Sequence, residues 1–141
     1  MMSFTDAIKS VFRQYVTFSG RARRSEFWYW VLFSVLVGVV LSAFAGATGG
    51  FQVDPATGLP TYGATGILAN LVSLALFLPS LAVTVRRLHD TDRSGFWWFI
   101  GLVPFVGGII LIVFTALAGT PGPNRFGPDP KGVDAAAPVG V

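Results

Sequence analysis

The chain has no cysteine and only one histidine. Without thiols there is no disulfide framework, no thiolate nucleophile and no cysteine metal centre. A single histidine then leaves a three- or four-ligand protein metal site hard to complete, so neither a metal nor a cofactor is expected. Charge is scarce too. Asp, Glu, Lys and Arg make up 12% of the residues, about half the share in a soluble globular domain, and 52% are apolar. So apolar a chain cannot cover itself with polar surface in water, and lipid is the solvent that would accept it. No internal repeat or domain boundary interrupts it. One membrane domain over 1–131 is therefore expected, with a disordered end over 132–141.

What is present is three long runs without charge, at about 27–47, 66–85 and 96–117. A 21-residue helix rises roughly 30 Å, enough to cross the hydrocarbon of a bilayer. The first run opens on Phe27-Trp28-Tyr29-Trp30 and the third on Phe96-Trp97-Trp98, as aromatic belts do at headgroup depth. Ser25 is a candidate cap for the first span, and Gly38, Ser42 and Gly46 give it a small-residue face. Small residues near Ala45 fit a signal-peptide cleavage pattern, but the run lies too far into the chain for cleavage to be expected. Pro79 should kink the second span. The third contains Pro104 and Gly107-Gly108, so it either spans as a kinked helix or folds as two short arms that enter and leave on one face. The expected class is an all-α integral membrane protein.

Ahead of the first span, Phe4, Ile8, Val11, Phe12 and Tyr15 form one helical stripe within 4–18, with Ser3 and Asp6 as a capping pair and Gly20 as a stop. This amphipathic helix is expected on the membrane surface, with packing on its own bundle as the alternative. The stretch 48–65 reads as a Gly/Pro/Thr loop with turns at Asp54-Pro55 and Thr57-Gly58. Basic residues are unevenly placed. Lys9, Arg13, Arg21, Arg23 and Arg24 precede the first span, none lies in 48–65, Arg86, Arg87 and Arg93 lie between the second and third runs, and Arg125 and Lys131 lie in the tail. The positive-inside rule puts the N-terminus and 86–95 in the cytoplasm. The side taken by the tail depends on the form of the third run.

Read as a loop, Arg86-Arg87-Leu88-His89-Asp90-Thr91-Asp92-Arg93-Ser94-Gly95 is the densest charge in the chain. A hydrolytic triad could draw on Ser94, His89 and Asp90, but they crowd one loop without a nucleophile elbow. A metal could use His89, Asp90 and Asp92 only with ligands the chain does not offer. Arginines suit phosphate through their planar donors, and at headgroup depth anionic lipid is the natural ligand. The plainer reading is that any cytoplasmic membrane edge carries arginines, with Asp90 and Asp92 neutralising them or capping the third helix. Nucleic acid is not expected, because no recognition helix carries the basic residues.

Three stretches also carry a family resemblance. They are Phe18-Ser19-Gly20-Arg21-Ala22-Arg23-Arg24-Ser25-Glu26-Phe27-Trp28, the 86–95 stretch, and Gly119-Thr120-Pro121-Gly122-Pro123-Asn124-Arg125-Phe126-Gly127-Pro128-Asp129-Pro130. In this order they resemble family 805 of the domains of unknown function, small bacterial inner-membrane proteins. The resemblance implies a compact helical bundle in the inner membrane and no catalytic residue. The expected function is a non-enzymatic surface of Arg21, Arg23, Arg24, Arg86, Arg87, His89, Asp90, Asp92 and Arg93, with a contribution from Asn124, Arg125 and Asp129. It would bind membrane lipid headgroups, a protein partner or a second copy of the chain. The alternatives are a small transporter or channel component, and a membrane enzyme centred on His89 and Asp90. Transport coupled to protons or ions would want an ionisable residue within a span, and none is present.

Overall fold

The computed structural model describes residues 2–132, so the disordered end expected over 132–141 lies outside it except for Gly132. The elements are α1 (Phe4–Arg13), α2 (Arg24–Ala47), β1 (Phe51–Val53), β2 (Pro60–Tyr62), α3 (Ala64–Asp90), a 3₁₀ arm (Gly95–Leu102) and α4 (Val106–Ala116). They form two compact units, one of Met1–Trp30 with Pro79–Val141 and one of Val31–Leu78. Helices α2 and α3 are long and apolar enough to cross a membrane. Only 11% and 28% of their most apolar stretches are buried, the reverse of core helices in a soluble protein.

In the first unit α1 starts where Ser3 accepts the amide of Asp6 at 3.1 Å. It ends at Arg13, five residues short of the expected Phe18, because Gln14 leaves helical geometry at φ −106° and ψ 36°. Gly20 is therefore not its stop; it takes φ +86° in the following loop. Ala7 and Val11 are fully buried, while Phe4 and Phe12 remain partly exposed and meet Tyr29 and Trp30 edge-on at 5.7 and 5.2 Å. The stripe is thus divided between packing and an uncovered aromatic rim. Helix α2 begins at Arg24, so Ser25 lies inside its first turn and not at the expected cap position.

The third apolar run is broken for a definite reason. Pro104 has no N–H and pushes the residue before it out of the helical region; Val103 sits at φ −74° and ψ 120° and closes the 3₁₀ arm. Phe105 then takes φ +66°, bridged by a bond from the Val106 amide to the Pro104 carbonyl at 2.8 Å, which is a strained γ-turn. Its ring is 95% exposed. The chain reverses, and Trp97 meets Phe114 edge-on at 5.5 Å. Both ends return to the last turns of α3: Gly95 lies against Val85, and the Thr115 carbonyl reaches Arg87.

In the second unit the 48–65 stretch, expected to be plain loop, contains an antiparallel hairpin pairing Phe51 with Tyr62 and Val53 with Pro60. Aromatic and β-branched residues favour these short strands, and the terminal register position tolerates Pro60. Asp54 accepts the Ala56 amide at 2.8 Å, and its carboxyl is held below its ordinary value first by that bond and then by Thr57. Gly66 packs on the Gly50 carbonyl so closely that a Cβ would collide with it. Asn70, a polar residue within the apolar run of α3, is exposed.

The two adjacent glycines of α4 should respond differently to alanine. A Cβ at Gly107 would collide with the Ile100 carbonyl, whereas one at Gly108 meets nothing within 4 Å. Gly107→Ala is expected to destabilise the protein by about 1–3 kcal/mol, and Gly108→Ala to be neutral or to gain up to about 1 kcal/mol. Unfolding of both in detergent micelles checks this; equal losses would contradict the close approach of the two arms.

Candidate functional site

The stretch read as a loop is in its first half the end of a helix. Arg86, Arg87, Leu88, His89 and Asp90 are the last residues of α3, and all are buried. The cause is electrostatic and local. A helix C-terminus exposes unpaired carbonyls and partial negative charge, which basic side chains in the last turn complement. The chain turns only after Asp90, where Asp92 takes φ +58°.

Asp90 is the centre. Its Oδ1 accepts from Arg21, with Nε at 3.0 Å and Nη2 at 2.9 Å, and its Oδ2 accepts from Arg87 Nη1. All three side chains are almost wholly withdrawn from solvent. Each guanidinium spends its remaining donors on backbone carbonyls. Arg87 donates to Thr115 at 2.8 Å, to Ala22 at 3.2 Å and to Leu117. Arg21 donates to Gly122 at 2.6 Å and to Thr120. Thr115 and Leu117 belong to the end of α4, so Arg87 satisfies carbonyls that have no partner within that helix. The Thr120 amide donates to the Asp90 carbonyl at 2.7 Å, and Gly119 lies so close that a Cβ would strike the Asp90 carboxylate.

A second pair lies beside the first. Arg86 Nη1 donates to Glu26 Oε1 at 2.9 Å, an oxygen that also accepts from Ser10 at 2.9 Å and so ties in α1. His89 shows Nδ1 to the Gly20 carbonyl at 3.0 Å; a carbonyl only accepts, so Nδ1 carries the proton. Phe126 stacks on the imidazole at 4.0 Å and 3°, Asn124 donates to the His89 carbonyl at 2.9 Å, and Arg125 pairs with Asp92 at 3.3 Å in the open. Arg93 lies over the Phe114 ring at 4.1 Å. Ser94 caps the 3₁₀ arm by accepting from the Phe96 amide.

Of the residues expected to form one surface, the structure brings Arg21, Arg87, His89, Asp90 and Asn124 into one cluster, with Arg86 alongside. Arg23, Arg24, Asp92, Arg93 and Arg125 lie at its margin. The wiring is not that of a hydrolytic triad, since both oxygens of Asp90 serve arginines. Glu26 is the partner of Arg86, a pairing that an acid in the first turn of a helix does not signal, since such an acid already suits the helix dipole.

The tail is shaped by Asp129, which accepts from the Gly122 amide at 3.1 Å and the Lys131 amide at 2.9 Å. The Lys131 amide first, and then Gly122 and the Arg21 charge, hold this carboxyl below its ordinary 3.8. A lowered folded value means that the group contributes stability above 3.8 and loses it as the pH falls through the lowered value, so it stays ionised at neutrality. Lys131 thereby reaches a cavity of about 510 Å³ lined by Arg23, Arg24, Ser25, Trp28 and Tyr29. Along α2, Arg24 stands one turn before Trp28 and Ser25 one turn before Tyr29.

All three stretches singled out in the sequence therefore meet around one carboxylate, and a family model described as "Protein of unknown function (DUF805)" matches residues 15–128, which takes in the first two stretches and all but the last two residues of the third. The chain belongs to the DUF805 family. It is similar to "Inner membrane protein YhaH" of Escherichia coli (strain K12), 46% identical over 121 residues that cover 86% of this chain and 93% of the relative. "Inner membrane protein YhaI" of the same strain is 45% identical over 122 residues, covering 86% and 92%. "Uncharacterized protein YiiR" is 30% identical over 142 residues, covering 83% and 88%. No solved structure matches.

Arg87 should not be replaceable by another cation. Removing one partner of a buried pair costs on the order of 3–5 kcal/mol, which is the loss expected for Arg87→Ala. Arg87→Lys keeps the charge, but a lysine ammonium lacks the planar fork that reaches Thr115, Leu117 and Asp90 together. Its unfolding midpoint in detergent should fall most of the way to that of the alanine variant. Full recovery by lysine would mean that charge alone matters there.

Proposed function

We propose that this protein is a non-enzymatic, multi-pass inner-membrane protein whose cytoplasmic face engages anionic lipid headgroups. The observation that carries the proposal is the division of the basic residues. Arg21, Arg86 and Arg87 are buried and held by Asp90, Glu26 and backbone carbonyls. Arg23, Arg24 and Lys131 line an open cavity with Trp28 and Tyr29, and among the described residues no carboxylate pairs with them. Interior arginines thus organise the fold, and the outer cations face the depth at which phosphate headgroups lie. The expected headgroup surface is thereby concentrated on Arg23 and Arg24, with Lys131 added.

Membrane placement follows the charge distribution. Helices α2 and α3 span, their arginine-bearing ends lie in the cytoplasm, and β1 and β2 lie outside. The contacts of Arg21 with Thr120 and Gly122 support a tail on the same side as the N-terminus. The return of Gly95 to Val85 and of Thr115 to Arg87 supports a third apolar segment that enters and leaves on one face. The exposed Phe4 and Phe12 of α1 support a helix that lies in the interface while packing on its own protein.

Two measurements test this reading. The chain has no native cysteine, so single cysteines at Thr57 and Gly132 report sidedness cleanly. Thr57→Cys should react with an impermeant maleimide on intact cells lacking an outer-membrane barrier, and Gly132→Cys only after lysis; the opposite pattern would invert the orientation. In reconstituted bilayers the protein should immobilise spin-labelled phosphatidylglycerol in preference to phosphatidylcholine, with a preference that weakens as salt rises. Equal immobilisation of the two would refute headgroup engagement.

A further inference from the structure

We propose that the cavity between the start of α2 and the folded tail is a defined seat for one phosphate ester, and that the tail builds it by delivering Lys131. The inference rests on the headgroup reading above and goes further, replacing general attraction to a charged surface with one site of fixed composition. The lining holds three cations, two aromatic rings and a hydroxyl, and no carboxylate. Asp129 offsets part of the Lys131 charge from outside the lining, and the excess positive charge of Arg23 and Arg24 is what a phosphate would neutralise. The guanidinium groups of Arg23 and Arg24 supply planar donors suited to phosphate oxygens, Lys131 supplies a compact point charge, and Ser25 adds a hydroxyl. Trp28 and Tyr29 offer apolar faces with polar edges, as suits the glycerol region of a lipid.

Arg24 and Lys131 are held in place by the rest of the protein. Arg24 Nη1 lies 3.4 Å from the Ala116 carbonyl, at the end of α4. Lys131 is positioned through a relay that begins at the buried cluster. Arg21 holds the Gly122 carbonyl, the Gly122 amide holds Asp129, and Asp129 holds the Lys131 amide. This relay assigns a use to the third motif that charge content does not explain, because its Asp129 is needed where an acid on a purely electrostatic surface would be a disadvantage. Asp129 is accordingly a positioning residue, touching the backbone of Lys131 and not the phosphate.

That distinction makes the site testable against bulk charge. The full chain in zwitterionic micelles is titrated with short-chain phosphatidylglycerol and, separately, with glycerol phosphate, and binding is read from tryptophan fluorescence, with Trp28→Phe identifying the reporter. Arg23→Gln and Lys131→Gln are each expected to weaken binding about tenfold, the worth of one charge-assisted hydrogen bond. Asp129→Asn raises the net charge by one, so bulk attraction would tighten binding; the relay requires a loss close to that of Lys131→Gln. Lys9→Gln, a change outside the cavity lining, should cost no more than about twofold, the level of an exposed charge. Binding of the lipid alone in this pattern marks a headgroup seat, and equal binding of glycerol phosphate marks a seat for a soluble phosphate ester; both support the site. Tighter binding by Asp129→Asn, or equal losses from Lys9→Gln and Arg23→Gln, would overturn the seat while leaving the headgroup surface in place. No preference of the unaltered chain for the anionic lipid over phosphatidylcholine would remove both.

Discussion

Asp90 is shared between two guanidinium groups at the point where three distant stretches of chain meet. Burying those charges is costly unless every donor and acceptor is used. Here the cost is met by geometry. Arg21 and Arg87 divide the two carboxylate oxygens, and their remaining donors go to carbonyls at Ala22, Thr115, Leu117, Thr120 and Gly122. The carbonyls matter as much as the carboxylate, because each lies at a helix end or in an irregular segment without a ladder partner. Where backbone groups are buried away from water and an unpaired one is costly, two arginines let a helix hairpin and a Gly/Pro-rich tail close against the end of α3.

From this the rest of the first unit follows. The 3₁₀ arm and α4 can turn back at Pro104 because the end of α4 is received by Arg87. The tail can fold without helix or strand because Arg21 and Asp129 take over the work a ladder would do, with Gly119 leaving room for the Asp90 carboxylate. Beside them, Arg86 and Glu26 connect the same helix end to α1 through Ser10. The arginines are thus separated by depth. Arg21, Arg86 and Arg87 are buried against carboxylates and backbone carbonyls, and Arg23 and Arg24 line an open cavity.

Much of this was legible in the chain. The two apolar runs of α2 and α3 showed themselves by length and by lack of charge. The break of the third run followed from Pro104, and the importance of Arg21, Arg87 and Asp90 from their setting beside those runs. Other features were hidden for physical reasons. Periodicity could not place the end of α3, since Arg86–Asp90 reads as polar loop when taken alone and becomes helix only when Glu26, Ala22 and Asp90 satisfy its charges. The hairpin of Phe51–Val53 with Pro60–Tyr62 is too short for an alternation pattern to reveal. Ser25 looked like a cap because local sequence cannot say which residue begins a helix whose preceding turn is held by Arg86 through the Ala22 amide. Lys131 gave no signal of its own; its place beside the cavity depends on a tail conformation set by the bond from Arg21 to the Gly122 carbonyl, distant in sequence.

Whether the Arg21–Asp90 contact really unites the motifs is open to a direct measurement. A double-mutant cycle of Arg21→Gln and Asp90→Asn, read as unfolding free energy in detergent micelles, isolates the coupling between the two side chains from their separate losses. A buried pair predicts that the double variant is less destabilised than the sum of the single ones, with a coupling of about 1–3 kcal/mol. Strict additivity would show that the two residues act independently, and would contradict a fold organised around one shared carboxylate.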